Sequence, residues 1–475
     1  MARIIVLGGG VCGLTAGILL RRDGQEVTVL ERDREPVPSS VDDAWERWPR
    51  DGVTQFRQTH YLTSRGRELL DVVLPDVRME LVAAGGMTMD PLQLMPPAIT
   101  DRAPREGDER FITVNARRAT VEQVLARTAE AEPGLEIRRG VTVTGLVTPA
   151  YNGVPHVAGV RTETGEELTA DLVVDAMGRR SQLPRWLEAA GAGPIHQEAE
   201  DSGFLYYTRH FRARNGGMPE FRAPLLSVMG TFSILTVPAD NGTWSVTLYT
   251  ASGDQPLKQL RDPDAWTRLL AACPLHAHWL DGEPTTGVMA MGGIVDRYRR
   301  LLYGALPVAT GVALAGDAWS CTNPSQGRGM TLAFMHVRRL RDTARSHLDD
   351  PREFAEAWDA VTESELTPWY RETVAEDRAR LREIEALREG RVPEPPTDQS
   401  AAMRGAMFAS FAYDPDVFRA FIGTRACLWR IGEACADERL FSRMIELARD
   451  AEPLQLPGPD RDQLLSLLAA SPAPA

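Results

Sequence analysis

The stretch RIIVLGGGVCGLTAGILLRRDGQEVTVLE, Arg3 to Glu31, constrains the fold more than any other part of the chain. Residues 3–7 are a β-branched apolar run, 11–22 carry helical spacing, and QEVTVLE from Gln25 again has strand character. Strand, helix and strand in this order make a βαβ unit, so the chain opens a parallel α/β sheet. Gly8, Gly10 and Gly13 form G-x-G-x-x-G at the first strand-to-helix turn, and Glu31 ends the second strand 18 residues after the third glycine. The first glycine permits the tight turn, the second lets backbone approach a pyrophosphate, and the third lets helix and strand pack closely. The helix N-terminus adds unpaired N–H groups and partial positive charge. Glu31 would accept from ribose hydroxyls, and Arg32 beside it is a further cofactor-binding candidate. The ensemble reads as a dinucleotide clamp, with Cys12 a small packing residue rather than a reactive thiol.

The rest of the chain narrows the class. With 475 residues, 43% of them apolar, there is room for two or three domains and a large core. A formal charge of −13 argues against a nucleic-acid partner. No apolar run approaches the roughly 18 to 20 residues of a membrane span, and the N-terminus lacks a signal peptide's apolar core and cleavage site, so a cytoplasmic location is expected. Five scattered cysteines without metal-type spacing fit a reducing compartment. Lys258 is the single lysine, which leaves little for lysine-dependent chemistry.

Residues 36–58 are polar and irregular, the profile of a functional excursion from the sheet. A helix is expected over 117–131, with strands near 135–147, 157–163 and 170–175. Alternating segments between 201 and 252 predict a second, mostly antiparallel sheet. The chain returns to a strand at 311–315 and a helix from about 327. After 351 nearly everything reads helical, up to a terminal SPAPA expected to be disordered. The fold expected is α/β: a Rossmann-like dinucleotide-binding domain, a mixed β-sheet substrate domain and a helical C-terminal region.

The stretch GVALAGDAWSCTNPSQGRGMTLA, Gly311 to Ala333, says which dinucleotide. An apolar strand runs into Gly316 and Asp317, then Pro324, Gly327, Gly329 and Met330 lead into a helix. This resembles the Gly-Asp motif of flavoprotein monooxygenases of the para-hydroxybenzoate hydroxylase type. The resemblance implies FAD, with Asp317 on the ribityl chain and the turn from Pro324 to Met330 along the isoalloxazine edge. A helix starting there would aim N–H groups where negative charge collects on reduction. Arg118, in NARRATVEQVL, matches the arginine that opens a helix in that family and would lie over the pyrophosphate or ribose; a solvated helix arginine is the alternative. ADLVVDAMGRRS departs from the family pattern, with Met177 where an aspartate precedes the glycine. GVTQFRQTHYLTSRGRELLDVVLP and EDSGFLYYTRHFRA look closer to polyether-type flavin epoxidases, which are similar in lacking that aspartate. The resemblance implies a FAD-binding domain split over 1–60, 110–195 and 285–345, a substrate domain at 61–109 and 196–284, and a helical region at 346–475.

The implied reaction is a monooxygenation through a flavin hydroperoxide, delivering one oxygen atom of O2 to an electron-rich olefin or aromatic ring, with specialised metabolism such as antibiotic biosynthesis the setting expected. NAD(P)H is the implied ultimate reductant, directly or through a separate flavin reductase, because Met177 puts direct reduction in doubt. The substrate expected is an apolar or aromatic small molecule. Along FLYYTRHF, one face carries Phe204, Tyr206, Thr208 and His210 and the other Leu205, Tyr207, Arg209 and Phe211, and either could line the pocket. The catalytic candidates are His60, Tyr207 and His210, with a structural role open for each. His276 and His278 have no third ligand nearby, and no metal site is read. A double-bond reductase on the same scaffold and a flavin-binding sensor are the competing readings. A flavin halogenase is disfavoured, since Trp45 and Trp48 are one residue too far apart and Lys258 is misplaced.

Overall fold

The computed structural model describes every residue except 152, 215–216, 397, 452–454 and 470–475, so the terminal SPAPA lies outside the described residues. The opening stretch forms strand β1 (Arg3–Leu7), helix α1 (Val11–Arg22) and strand β2 (Glu26–Glu31). Helix α2 (Arg118–Ala131) leads into β3 (Leu135–Arg139), and the chain comes back as β4 (Leu172–Asp175). It then builds an antiparallel layer from β5 (Phe204–Arg212), β6 (Leu226–Met229), β7 (Phe232–Pro238) and β8 (Thr243–Ala251), and returns as β9 (Val312–Leu314). Helix α3 (Gly329–His347) follows β9, and the C-terminal region includes α4 (Thr367–Arg388), α5 (Gln399–Ser410) and α6 (Pro415–Arg425).

The first sheet runs β9-β4-β1-β2-β3 with every neighbour parallel. Strands β1, β4 and β9 are buried on both faces, which is why they read as apolar runs, whereas the edge strand β3, LEIRR, is partly exposed and charged. Ile4 and Val6 enter one core with Leu14, Ile18 and Val337, while Ile5 and Leu7 enter another with Val173, Leu187 and Trp369. Fully burying each such aliphatic side chain contributes about 1.5–3 kcal/mol. The helices Ser64–Val73 and Pro75–Ala83 place Leu69, Leu70, Leu74, Val77 and Leu81 in the first of these cores. This segment therefore packs with the dinucleotide fold.

The antiparallel layer orders β6-β7-β8-β5, and its far face packs on a separate core with Trp244, Trp266 and Trp279. Two features depart from expectation. The excursion 36–58 contains a short helix, Val41–Arg47, capped by Ser40, whose Oγ accepts from the Asp43 N–H at 3.1 Å. A charged strand, His196–Asp201, pairs antiparallel with Val295–Arg300. It lacks the apolar alternation by which strands are recognised and stays largely exposed, its carboxylates pairing with arginines of α4: Arg371 meets Glu198 and Arg378 meets Glu200. Among the described residues no helix is long and apolar enough to cross a membrane.

Candidate functional site

The two glycine turns, some 300 residues apart in sequence, open on one cavity of about 650 Å³. Gly8 has φ +102°, and a Cβ there would sit 2.7 Å from the Ala176 carbonyl oxygen. A Cβ on Gly13 would overlap the Gly8 carbonyl, whereas a Cβ on Gly10 would meet nothing within 4 Å. Gly8 and Gly10 line the cavity, and Gly13 sits behind them and lets α1 close on the turn. Gly10 is the N-cap of α1 and offers no side-chain cap, so the first N–H groups of the helix are left for a ligand.

Glu31 and Arg32 line the same end. The Gly9 N–H donates to Glu31 Oε2 at 2.8 Å and the Asp33 N–H to Oε1 at 2.9 Å, so Glu31 braces the turn from below. Arg50 completes this brace from within the irregular excursion. Buried, it meets Glu31 at 3.2 Å, Asp33 at 2.9 Å and Glu122 at 3.0 Å, and donates to the Gly9 carbonyl at 2.9 Å. Arg118 opens α2 on the cavity wall, its Nε donating to Glu122 Oε1 at 2.6 Å. Its side chain is 11% exposed, which is not a solvated helix arginine.

At the other turn, β9 leads through Gly316 to Asp317, a single 3₁₀ turn spans Pro324–Gln326, and Gly327 at φ +64° precedes α3. Asp317, Pro324, Gly327, Gly329 and Met330 all line the cavity. Burial raises the Asp317 carboxyl, while Arg118 and Arg179 pull it down. Ser325, within the expected turn, and Asn323, just before it and not anticipated from the sequence, are also wall residues. The Ser325 hydroxyl donates to Asp377 of α4 at 2.7 Å, the Asn323 N–H donates to Asp296 at 2.6 Å, and the Tyr206 hydroxyl donates to Asn323 Oδ1 at 2.7 Å. No sequence pattern links positions so far apart. Burial raises Asp296 to about 6 and Asp377 to about 7.

Beyond this turn the cavity becomes apolar. Leu226, Val228, Leu235 and Val237 line it from the antiparallel sheet, Phe408 from α5, Phe411 from the C-cap of that helix, and Phe418 and Phe421 from α6. The sheet register decides the face question. Tyr206, Thr208 and His210 stand opposite Tyr249, Thr247 and Ser245, and those stand opposite Ser233, Leu235 and Val237, so this face looks toward the cavity. Tyr207 is corrected by the same alternation: it is fully buried on the opposite face in the core of Phe211 and Trp266 and does not line the cavity. His210 lies on the near face but behind the 55–61 segment. Its Nε2 donates to the Arg57 carbonyl at 3.0 Å, its ring centroid is 4.6 Å from that of Trp45, and burial lowers its pKa to about 4.

His60 does line the cavity. Its Nδ1 donates to the Gln58 carbonyl at 2.9 Å, and burial, with Arg118 nearby, lowers its pKa to about 3. Neutral imidazole leaves Nε2 as an acceptor. Met177 also borders the cavity. The nearest carboxylate in its segment is Asp175, buried and raised to about 6, which accepts from the Met177 N–H at 3.0 Å and from the Ser181 hydroxyl. It stabilises the turn and does not replace a carboxylate at 177. His276 bonds Ser227 and His278 the Glu220 carbonyl, each away from the cavity wall.

A family model described as FAD binding domain matches residues 1–343. Among curated proteins, "Protein Rv3254" of Mycobacterium tuberculosis is 26% identical over 363 residues, covering 71% of this chain and 72% of its own length. A kynurenine 3-monooxygenase of Salinispora arenicola is 26% identical over 364 residues, 73% of each chain. Among solved structures, a PqsL variant of Pseudomonas aeruginosa shares the fold with a TM-score of 0.60 at 16% identity, covering 82% of this chain and 98% of that one.

Proposed function

The chain belongs to the FAD binding domain family, and from that premise we propose that it is an FAD-dependent monooxygenase that transfers one oxygen atom of O2 to an electron-rich olefin or aromatic ring. The observation that carries this reading is a single cavity with both glycine turns at its polar part and an apolar chamber continuing from the second turn. The residues present fit the cofactor. A Cβ at Gly10 would project into open space that a pyrophosphate needs, and a second uncapped helix, α3, begins on the wall. The name of the relative from Salinispora arenicola supports a monooxygenase.

Bound and reduced, FAD supplies the electrons and the activation of O2. The chain's own residues do the rest. Gly8, Gly10 and the start of α1 would hold the pyrophosphate, Glu31, Arg32 and Arg118 the adenosine side, and Asp317 the ribityl side. Gly327, Gly329 and Met330 would hold the ring edge with α3 directed at it, and Pro324 shapes that turn. The sheet face and the phenylalanines of α5 and α6 exclude water from the substrate. His60 Nε2, uncharged at working pH, would accept a hydrogen bond from a substrate hydroxyl, and His210 positions the loop that carries it. Tyr207 has no part. On this reading 1–60, 110–195 and 285–345 serve the cofactor, and the helices within 64–83, expected in the substrate domain, go with them because their leucines share the parallel-sheet core; 84–109 and 196–284 serve the substrate, and 346–475 close the substrate end.

Met177 leaves the cavity edge without the carboxylate that the resembling family places there, which supports reduction through a separate reductase or free reduced flavin rather than by direct NAD(P)H binding. No observation favours a double-bond reductase. The test is mass spectrometry of products from an olefin and a phenol panel under heavy-isotope O2, with reduced flavin supplied. One labelled oxygen atom in an epoxide or a phenol is expected. A saturated product without label would contradict the reading.

A further inference from the structure

The apolar chamber contains a cation that the proposed reaction does not use. Arg425, near the end of α6, lines the cavity among the phenylalanines, its guanidinium 5.5 Å from the Phe421 ring centroid. Only Nη1 has partners among the described residues: Gln326, on the cofactor-side turn, and Glu376 at 3.2 Å. Nε and Nη2, the adjacent pair that meets a carboxylate side-on, donate to no described residue. Glu376 does not neutralise the group. It is shared with Arg328, 3.7 Å away and buried, and is drawn below the usual carboxylate range by Arg328, Arg425 and Arg404 together. Glu372, the neighbouring carboxyl, is pushed upward by burial. An apolar chamber with a partly free, forked cation at the junction with the cofactor turn is a site for an anion with an apolar body.

We propose that Arg425 binds substrate directly and that the substrate is a ring- or polyene-bearing carboxylic acid, its carboxylate lying side-on against Nε and Nη2 while its apolar body lies between the sheet face and the α5–α6 phenylalanines. This rests on the reading that the remaining part of the cavity is the flavin site. The fork explains the choice of carboxylate over a single hydroxyl or carbonyl: two parallel donors are left, and a planar anion satisfies both. Phe421 lies beneath the guanidinium, and the Arg425 side chain keeps 36% of its surface accessible to a ligand.

The holoenzyme is titrated with cinnamate and naphthoate and with their methyl esters, binding being read from perturbation of the flavin absorbance. The acids are expected to bind about 10- to 100-fold more tightly than the esters, the range for a charge-assisted pair lost on esterification. Arg425→Met should erase that preference with FAD content unchanged, and Arg425→Lys should keep part of it, since a point charge remains without the fork. Esters that bind as well as acids, absence of binding by either acid, or an equal loss for acid and ester in Arg425→Met would each overturn the proposal. The wild-type comparison stands even if a variant fails to fold. Because binding is read without turnover, a missing acid preference in a protein that transfers oxygen sinks this inference alone. A protein that prefers acids but transfers no oxygen sinks only the monooxygenase reading.

Discussion

Gly10 and Gly13 are the same residue type in one motif and do opposite work. Gly13 is glycine because the protein's own Gly8 carbonyl occupies the space of a side chain; at Gly10 the space is empty and belongs to a ligand. Gly13→Ala should therefore destabilise the protein by about 1–3 kcal/mol, the range for overpacking. Gly10→Ala should leave the flavin-free protein within about 0.5 kcal/mol of wild type while its FAD content falls. Thermal unfolding of flavin-free protein and the visible spectrum of purified protein separate the two. Asp377 gives a pH prediction. Burial raises its carboxyl from 3.8 to about 7, so the folded state holds a proton that the unfolded chain has released. The stability it contributes is complete below about pH 4 and is lost as pH rises through 7. Asp377→Asn keeps an acceptor for Ser325 and removes the titration. Relative to wild type it should gain about 2–3 kcal/mol between pH 5 and pH 8, measured by denaturant unfolding. A flat difference across that range would contradict the assignment.

At the scale of elements, legibility followed locality. β1, α1 and β2 were readable because their apolar spacing, turn glycines and closing acid all fall within one short run, and the α2 helix because its pattern is regular. The Asp317 turn was readable as a likeness of order along the chain. What brings Ser325 to Asp377, or Arg50 to Glu31, is tertiary packing, which leaves no periodic trace. The strand His196–Asp201 was hidden because Ala199 is its one apolar residue, and its exposed carboxylates pair with arginines of α4 instead of alternating with apolar residues. Tyr206 and Tyr207 could not be told apart, since a strand's two faces look alike until its partners are known. The α5–α6 cap shares a small core with Leu92, Met95, Ile99 and Phe111, in which Phe418 is buried beside Phe411, 6.2 Å between ring centroids. Phe418→Ala should cost about 3–5 kcal/mol there. Hydrogen exchange should quicken across residues 399–425 and stay slow in β1, β2 and β4, with FAD retained. Uniform loosening of the parallel sheet would show that the cap is not a separate cooperative unit.

For the whole molecule, the parallel sheet brings the end of β1 and the end of β9 to one edge, and the antiparallel layer with the C-terminal helices encloses the space beyond. On the proposed reading, oxygen transfer would take place in this apolar chamber, and Met177 would leave reduction to a separate reductase or free reduced flavin. Purified holoenzyme should oxidise NADPH slowly unless a flavin reductase or reduced flavin is added; rapid NADPH oxidation by the isolated protein would contradict the reading of Met177. Asp317→Ala should lose most of its flavin, and stoichiometric retention would mean the ribityl side is held by other residues. The most direct measurement is a crystal structure of the protein carrying its natural cofactor. The account predicts one FAD in the cavity, with its pyrophosphate at the Gly8–Gly13 turn and its isoalloxazine ring against Pro324–Met330, facing the apolar chamber. A nucleotide lacking a flavin ring, or a flavin bound away from either turn, would contradict it.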